Sequence, residues 1–240
     1  MPPPPNPVKN RLLNAIPRTE FEQLRPRLQA VPLKAKRILH HFNTPMEHVW
    51  FVETGLVSVT AHVDKSMTLE VWLIGCEGMT GIPVLLGGDE SPPHRRIVQV
   101  DGTALRISSA DLRYALEEMP RLREILLRYA QVVLLQTSQV GACNSSHTLH
   151  QRLARCLLMA RDRLLTDDLA LTHELLSRML GVRRASVTTA VASLEAIGAI
   201  SRGRGSIRVI DCDKLEREAC DCQRIIRAAY ERLLPGDKGT

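Results

Sequence analysis

The stretch of residues 171–210 limits most strongly what this chain can fold into. It reads LTHELLSRMLGVRRASVTTAVASLEAIGAISRGRGSIRVI. An apolar stripe at helical spacing ends at Gly181, and Thr172 stands where a hydroxyl can cap the first helical turn. A second apolar stripe then recurs at intervals of four and three, at Val187, Val191 and Leu194. The pattern predicts two short helices joined by a tight glycine turn.

The face opposite the second stripe carries side chains that suit the DNA major groove. Arginine can bond a guanine edge with two hydrogen bonds, and serine or threonine can reach bases or phosphates. After Gly198 we predict a glycine-rich hairpin whose tip carries two arginines that suit the phosphate backbone. The candidate residues are Arg183, Arg184, Ser186, Thr188 and Thr189 on the helix, and Arg202 and Arg204 on the hairpin. A helical hairpin with a merely solvated basic face is the alternative interpretation.

These features resemble the C-terminal winged helix of the cyclic AMP receptor protein and Fnr family of bacterial transcription regulators. The turn glycine, the small Ser177 at the helix crossing and the basic wing carry the resemblance, which extends over most of the chain. It implies base-reading positions near the start of the second helix, at Arg184, Ala185, Ser186, Thr188 and Thr189. Arg184 matches an arginine that many members use on a guanine. Ala185 and Thr189 replace a glutamate and an arginine of many members, so a different operator is expected.

The charge balance agrees with a polyanionic partner. The 240 residues include 32 Lys and Arg against 26 Asp and Glu, a formal net charge of +6. The excess is local, because five arginines and one acidic residue, Glu195, lie within residues 183–208. We therefore expect double-stranded DNA as a partner.

The sequence indicates neither a membrane span nor a secretory signal. No stretch approaches the roughly 20 uninterrupted apolar residues that a span needs, and the N-terminus lacks a charged-then-apolar pattern. Six cysteines in a chain of this length are too few and too irregular for a disulfide framework. We expect a cytoplasmic protein with no membrane partner.

Short runs of strand-forming residues separated by turns fill residues 31–107. They lie at residues 49–52, 56–59, 68–73, 97–100 and 104–107. Such spacing predicts an antiparallel sandwich or barrel. The family resemblance implies a double-stranded β-roll, with a turn at Gly55 between the first two strands. Helical segments are expected over residues 10–28.

The resemblance also locates a possible effector pocket. Cyclic-nucleotide-binding members hold ribose and phosphate with a Gly-Glu and an Arg-Ser pair, and adenine with a Thr-Ser pair. The corresponding residues here are Gly81, Ile82, Arg95, Arg96, Thr137 and Ser138. Ile82 replaces the ribose-binding glutamate, and no serine follows Arg95 or Arg96. We therefore predict that cyclic AMP is not the effector, and a solvated basic pair is the alternative for the two arginines.

A long helix is predicted from Pro120 to residue 141, followed by a hinge at residues 141–146. A heptad-like seam with four-three spacing contains Leu122, Leu126, Tyr129, Val133, Gln136 and Val140. The resemblance favours a two-fold homodimer along this seam, in which Gln136 fixes the register. The alternative is a single helix that covers only its own domain.

No metal site, cofactor or enzyme active site is predicted. No cysteine precedes Cys76, which excludes the N-terminal iron–sulfur cluster of Fnr-type members. Cys143 is isolated, and Cys220 and Cys222 lack a second pair at metal spacing. No histidine pairs with a cysteine at a zinc-motif spacing. The chain contains no nucleophile elbow, phosphate loop or catalytic carboxylate pair.

The sequence therefore predicts an α+β chain of five parts. They are a proline-rich tail at residues 1–9, a cyclic-nucleotide-binding-like β-roll at 10–118, a dimerisation helix and hinge at 119–143, a winged helix-turn-helix domain at 144–212, and a helical extension at 213–240. We expect a sequence-specific, homodimeric transcription regulator in which the β-roll controls the spacing of two recognition helices. RNA polymerase is expected as a further partner. The alternative is a ligand-binding or protein-interaction module whose winged helix contacts protein.

Overall fold

The computed structural model describes residues 7–63, 68–87 and 91–234. Most of the predicted proline-rich tail and the last six residues of the predicted extension lie outside these ranges.

Five strands form one antiparallel sheet in the N-terminal half. They are β1 Gln29–Leu33, β2 Ile38–His40, β3 His48–His62, β4 Thr68–Ile74 and β5 His94–Ser108. The strand order is β1-β5-β3-β4, and β2 also pairs with β5. The register between the two long strands shifts near their middle, at a β-bulge. The predicted antiparallel β domain is confirmed.

Gly55 does not form the predicted turn. The chain continues through it as one strand, so the segments predicted at residues 49–52 and 56–59 are both parts of β3. Gly55 has φ 83°, and a Cβ there would lie 2.6 Å from the Val100 carbonyl oxygen. The glycine therefore permits a close approach of β3 and β5 at a bulge. The segments at residues 97–100 and 104–107 merge into β5 in the same way.

Five helices pack around this sheet. They are α1 Arg11–Ala15, α2 Arg18–Leu24, α3 Ile82–Leu86, α4 Ser109–Glu118 and α5 Pro120–Ser146, and a 3₁₀ turn at Arg25–Arg27 extends α2. Ser108 caps α4, because its side chain accepts a hydrogen bond from the Asp111 amide. One face of α5 closes the core together with Phe51 and Met79 of the β domain.

The predicted hinge at residues 141–146 is helical. Helix α5 continues through Gly141 to Ser146, and Thr148 then caps α6, Leu149–Leu164, in a capping box with Gln151. A helical glycine costs only about 1 kcal/mol, and the fully buried Cys143 packs the same turn. Only His147 and Thr148 separate the two helices, and this pair is called the joint below.

The remaining elements form a winged helix. They are β6 Asp168–Leu169, α7 His173–Leu180, α8 Arg184–Ala196, β7 Ile200–Arg202 and β8 Ile207–Val209, with strand order β6-β8-β7. Their apolar core is continuous with Leu56 of β3 and Leu73 of β4. The winged helix is therefore docked on the β domain.

The C-terminal segment, predicted as a helical extension at residues 213–240, forms two helices. Helix α9 spans Cys212–Glu218 and α10 spans Cys222–Leu233. Ala219 between them is extended, with φ −78° and ψ 154°. The apolar pattern continues across this break, so periodicity alone did not reveal it.

None of the helices in the described ranges is long and apolar enough to cross a membrane.

A buried ion pair joins the two halves of the molecule. The Arg163 side chain of α6 donates from Nε to Glu77 Oε1 at 2.9 Å and from Nη2 to Gln136 Oε1 of α5 at 2.8 Å. The Tyr230 hydroxyl of α10 donates to the same Gln136 oxygen at 3.1 Å. The loop after β4 and helices α5, α6 and α10 therefore meet at one guanidinium.

We expect Glu77→Leu to lower the free energy of unfolding by about 3–5 kcal/mol, because it leaves the buried Arg163 charge without a carboxylate. The double variant Glu77→Leu/Arg163→Met should cost less than the single change. Urea unfolding followed by circular dichroism measures both. Asp221→Asn is the matched control at an exposed ion pair and should change stability by less than about 0.5 kcal/mol. A cost below about 1 kcal/mol for Glu77→Leu would contradict this role.

Candidate DNA-binding surface

Helices α7 and α8 form the predicted pair around a glycine turn. The Thr172 hydroxyl accepts a hydrogen bond from the Leu175 amide at 3.1 Å and caps α7, as predicted. Gly181 ends α7 in the left-handed region, with φ 64°. The extended Arg183 then starts α8. The Thr172 cap, the Gly181 turn and the extended Arg183 together set the angle between the two helices.

One face of α8 is buried and the other is open. The buried face contains Val187, Ala190, Val191 and Leu194, and Ser177 of α7 is also buried. The open face carries the predicted set: Arg183, Arg184, Ala185, Thr188 and Thr189 are exposed and Ser186 is half-buried. The structure therefore brings all six predicted α8 residues to one surface.

The hydroxyls of this surface are held in place locally. Thr188 Oγ1 donates to the Arg184 carbonyl at 3.1 Å, and Thr189 Oγ1 donates to the Ala185 carbonyl at 3.3 Å. Both oxygens keep acceptor capacity for a ligand donor. His173 of α7, which the sequence analysis did not single out, lies with Nδ1 3.0 Å from Thr188 Oγ1. Burial and the nearby arginines lower the pKa of His173, so the ring is neutral at ordinary pH.

The two wing arginines differ in their surroundings. Arg202 forms an ion pair with Glu195 at 2.5 Å, and its amide also donates to this carboxylate at 2.9 Å. These bonds hold the pKa of Glu195 below its usual value. Arg204 lies at the exposed tip and, within the described ranges, forms no ion pair. Arg183 and Arg184 likewise have no carboxylate partner among the described residues, so these three charges are available to an external anion.

The residues of the predicted effector pocket make mainly local contacts. A Cβ at Gly81 would meet Val49, and Ile82 begins α3. Arg95 stacks over the Phe42 ring at 5.2 Å, whereas the buried Arg96 donates to the His94 carbonyl at 2.7 Å. The Thr137 and Ser138 hydroxyls donate to carbonyls of their own helix, at 2.9 Å from Val133 and Leu134 respectively.

Thr137 instead lines a different cavity, which sequence reasoning missed. This cavity of about 310 Å³ lies between β4, α5, α6 and α7, and neither Arg95 nor Arg96 contributes to it. Arg178 of α7 crosses it to Glu70 of β4, with 3.3 Å between Nε and Oε1. Burial raises the pKa of the Glu70 carboxyl, and Arg178 opposes that effect. The cavity therefore sits at the contact between the β domain and the winged helix.

Residues 151–218 match the family described as the Crp-like helix-turn-helix domain. The chain therefore contains a Crp-like helix-turn-helix domain, and it resembles the Crp/Fnr regulators. It is a DNA-binding transcription regulator with a cyclic-nucleotide-binding-like β-roll, and the predicted resemblance and fold class are confirmed.

A curated relative and solved structures show the same resemblance over most of the chain. The chain is 27% identical over 175 residues to the global nitrogen regulator of a Nostoc species, covering 69% of this chain and 78% of that protein. Its fold is similar to FixK2 from Bradyrhizobium japonicum, with a TM-score of 0.70, 16% identity and coverage of 80% and 98% of the two chains. The c-di-GMP-responsive regulator CLP of Xanthomonas campestris gives a TM-score of 0.66, with 15% identity and the same coverage.

The predicted dimer seam faces inward. Leu122, Leu126, Tyr129 and Val133 are at most 5% exposed and pack in the core of their own β-roll. Gln136 bonds to Arg163 and Tyr230, and Val140 lines the cavity described above. The structure corrects the seam prediction, because these side chains are already covered within one chain. Four-three spacing marks an apolar stripe but does not tell which surface covers it.

We expect Arg184→Ala to weaken binding of this protein to its operator by about 1–3 kcal/mol and to relax one base position. Fluorescence anisotropy on operator and scrambled duplexes measures this, after the operator has been selected from random-sequence DNA. Arg204→Ala should weaken binding to both duplexes alike, as loss of a phosphate contact does. Arg18→Ala, an exposed arginine of α2, is the charge-matched control. Equal losses on both duplexes for Arg184→Ala would contradict base reading.

Proposed function

We propose that this regulator binds a two-fold operator as a homodimer, and that the β-roll controls the spacing of the two α8 helices. The observation that carries the proposal is the open face of α8, where Arg183 and Arg184 have no carboxylate partner among the described residues. Two recognition helices reach successive major grooves when they lie roughly 34 Å apart. RNA polymerase stays a predicted further partner.

The dimer interface that we propose lies on the exposed face of α5. Leu127 is 41% exposed and Leu134 is 68% exposed, seven residues apart on a helix of 27 residues. Gln131 and Ser138 extend the same stripe at intervals of four, and both are exposed. This register supports side-by-side packing of two α5 helices, while the opposite face of α5 remains in the β-roll core.

Coupling between the β-roll and the winged helix, which is called the reader below, would pass through two sets of contacts. Arg163 links the winged helix to Glu77 and to α5, and Arg178 links α7 to Glu70 of β4. The joint leaves α6 directly after α5. A change in either contact set would therefore bias the position of α7 and α8 relative to the α5 pair.

The surroundings of the predicted pocket residues support an effector other than cyclic AMP. Arg96 is almost fully buried and already donates to a carbonyl, and Ile82 offers no group that binds a ribose hydroxyl. We expect cyclic AMP at millimolar concentration to leave operator affinity unchanged. A rise of about tenfold or more in the anisotropy assay would contradict this part of the proposal.

Salt dependence tests the proposal against the alternative that the winged helix binds protein. In a gel-shift titration, the logarithm of the association constant should fall linearly with the logarithm of salt concentration, with a slope of about −0.9 for each phosphate contact. A binding constant that does not respond to salt would favour the protein-interaction alternative.

We expect Leu134→Glu to convert the dimer into monomers, because it would place two like charges in the proposed interface. Sedimentation velocity measures the change, and operator binding should weaken by at least about tenfold because the monomer contacts one half-site. Leu86→Glu, at an exposed leucine of α3, is the matched control. An unchanged dimer in Leu134→Glu would contradict the α5 interface.

A further inference from the structure

Three cysteines and one histidine that are distant in sequence converge at the joint. The Cys143 and Cys220 sulfurs are 3.4 Å apart, and the Cys222 sulfur lies 3.7 Å from His147 Nδ1. All four potential ligand atoms lie within 4.8 Å of one another. The three cysteines are buried and the histidine is half-buried. This group is called the joint cluster below.

Local structure places the cluster in two halves. Cys143 lies in the last turn of α5, and His147 is the extended residue that directly follows this helix. Cys220 and Cys222 flank the turn between α9 and α10. The sequence analysis found no histidine paired with a cysteine at a zinc-motif spacing, and so it missed Cys143 and His147, which come together at the end of a helix.

These separations suit a single tetrahedral ion. With Zn–S near 2.3 Å and Zn–N near 2.0–2.1 Å, tetrahedral ligand atoms lie roughly 3.5–3.8 Å apart. The Cys143–Cys220 and Cys222–His147 distances, 3.4 and 3.7 Å, are close to this range. Small side-chain rotations would bring the other ligand pairs into it. A multi-iron cluster needs cysteine sulfurs that are farther apart, because its irons and sulfides lie between them.

An isolated positive charge beside the cluster provides a second, independent observation. The Arg155 side chain of α6 is 5% exposed, and its Nε has no hydrogen-bond partner. Its Nη1 donates only to the Met159 sulfur, at 3.3 Å, and within the described ranges no carboxylate pairs with it. Its charge is close enough to act on the Cys143 thiol. A buried guanidinium normally requires a negative partner.

A zinc ion in the cluster would supply that partner. Three thiolates and a neutral imidazole around Zn²⁺ carry a net charge of −1, which balances the Arg155 guanidinium. Gln139 Nε2 already donates to the Cys222 sulfur at 3.2 Å, in the manner of an outer hydrogen bond to a metal-bound thiolate. Charge and hydrogen bonding around the cluster therefore both favour the anionic form of its sulfurs.

We infer that Cys143, His147, Cys220 and Cys222 bind one zinc ion that fastens the joint between α5 and α6 to the C-terminal helices. Three thiolates and an imidazole are the ligand set of a closed, structural zinc site. The ion would join the end of α5 to the start of α10 at the residue where the reader begins. This inference does not depend on DNA binding or on dimerisation.

Metal content of the reduced, full-length protein tests the site directly. After incubation with one equivalent of Zn²⁺ and gel filtration, mass spectrometry of the metal should find one zinc per chain. Cys143→Ser and Cys220→Ser should each lose most of it. Cys212→Ser is the matched control, because Cys212 is half-buried at the start of α9 and lies outside the cluster. Equal zinc in Cys143→Ser and the parent, or no zinc in the parent, would overturn the inference.

A spectroscopic test does not depend on whether the cysteine variants fold. Co²⁺ added to the reduced parent should give the intense red-region absorption of tetrahedral cobalt and thiolate charge-transfer bands. His147→Cys should retain the metal with a shifted spectrum. The weak absorption of octahedral Co²⁺ in the parent would overturn the proposed site. A Cys143–Cys220 disulfide in protein prepared with reductant would also overturn it.

Arg155→Met separates a charge-balancing role from simple packing. We expect it to raise the thermal midpoint of the zinc-free protein, because it removes an uncompensated buried charge, and to weaken zinc binding by about 10- to 100-fold in chelator competition. Hydrogen exchange at residues 145–149 and 219–223 should slow when zinc binds to the parent. Unchanged exchange in both segments would overturn the fastening of the joint.

Discussion

Much of the arrangement depends on one guanidinium in the interior. The buried Arg163 side chain donates hydrogen bonds to Glu77, to Gln136 and to the carbonyls of Leu73 and Met159. Its donors have few other acceptors nearby, so these four groups must keep their positions. Such a pair adds little net stability, since desolvation offsets most of the attraction. Its effect is geometric, because a rotation of the winged helix would leave a buried charge without acceptors. The position of the reader on the β-roll is thereby restricted to arrangements that satisfy one side chain.

The docking contact and the DNA-facing surface use different helices of the same pair. Helix α7 carries Arg178 to Glu70 of the β-roll, whereas α8 carries the exposed arginines. The two helices are coupled through the buried Ser177 and Val187 and through the hydrogen bond between His173 and Thr188. A displacement of α7 cannot leave α8 unmoved, since close-packed interiors transmit small shifts. The helix that contacts the β-roll and the helix that carries the exposed arginines thus belong to one packed unit.

Local signals in the sequence predicted local structure well. The cap at Thr172, the turn at Gly181 and the open face of α8 all follow from side chains within a few residues. Features that depend on distant packing were not predictable in this way. Periodicity showed that α5 is apolar but not that the β-roll covers Leu122 and Leu126, and a strand pattern could not distinguish a bulge at Gly55 from a turn. Cys143 and Cys220, separated by 77 residues, meet only because α10 packs beside α5.

The brevity of the joint has a thermodynamic consequence. A reader on a long flexible linker would sample many positions, and most of that freedom would be lost each time DNA was bound. Here two residues connect α5 to α6, so the chain has already lost this entropy on folding. In the proposed dimer, binding of one reader to its half-site would hold the other at high effective concentration near the second half-site. Affinity for a two-fold site would then depend more on the preset distance between the readers than on the strength of either contact alone.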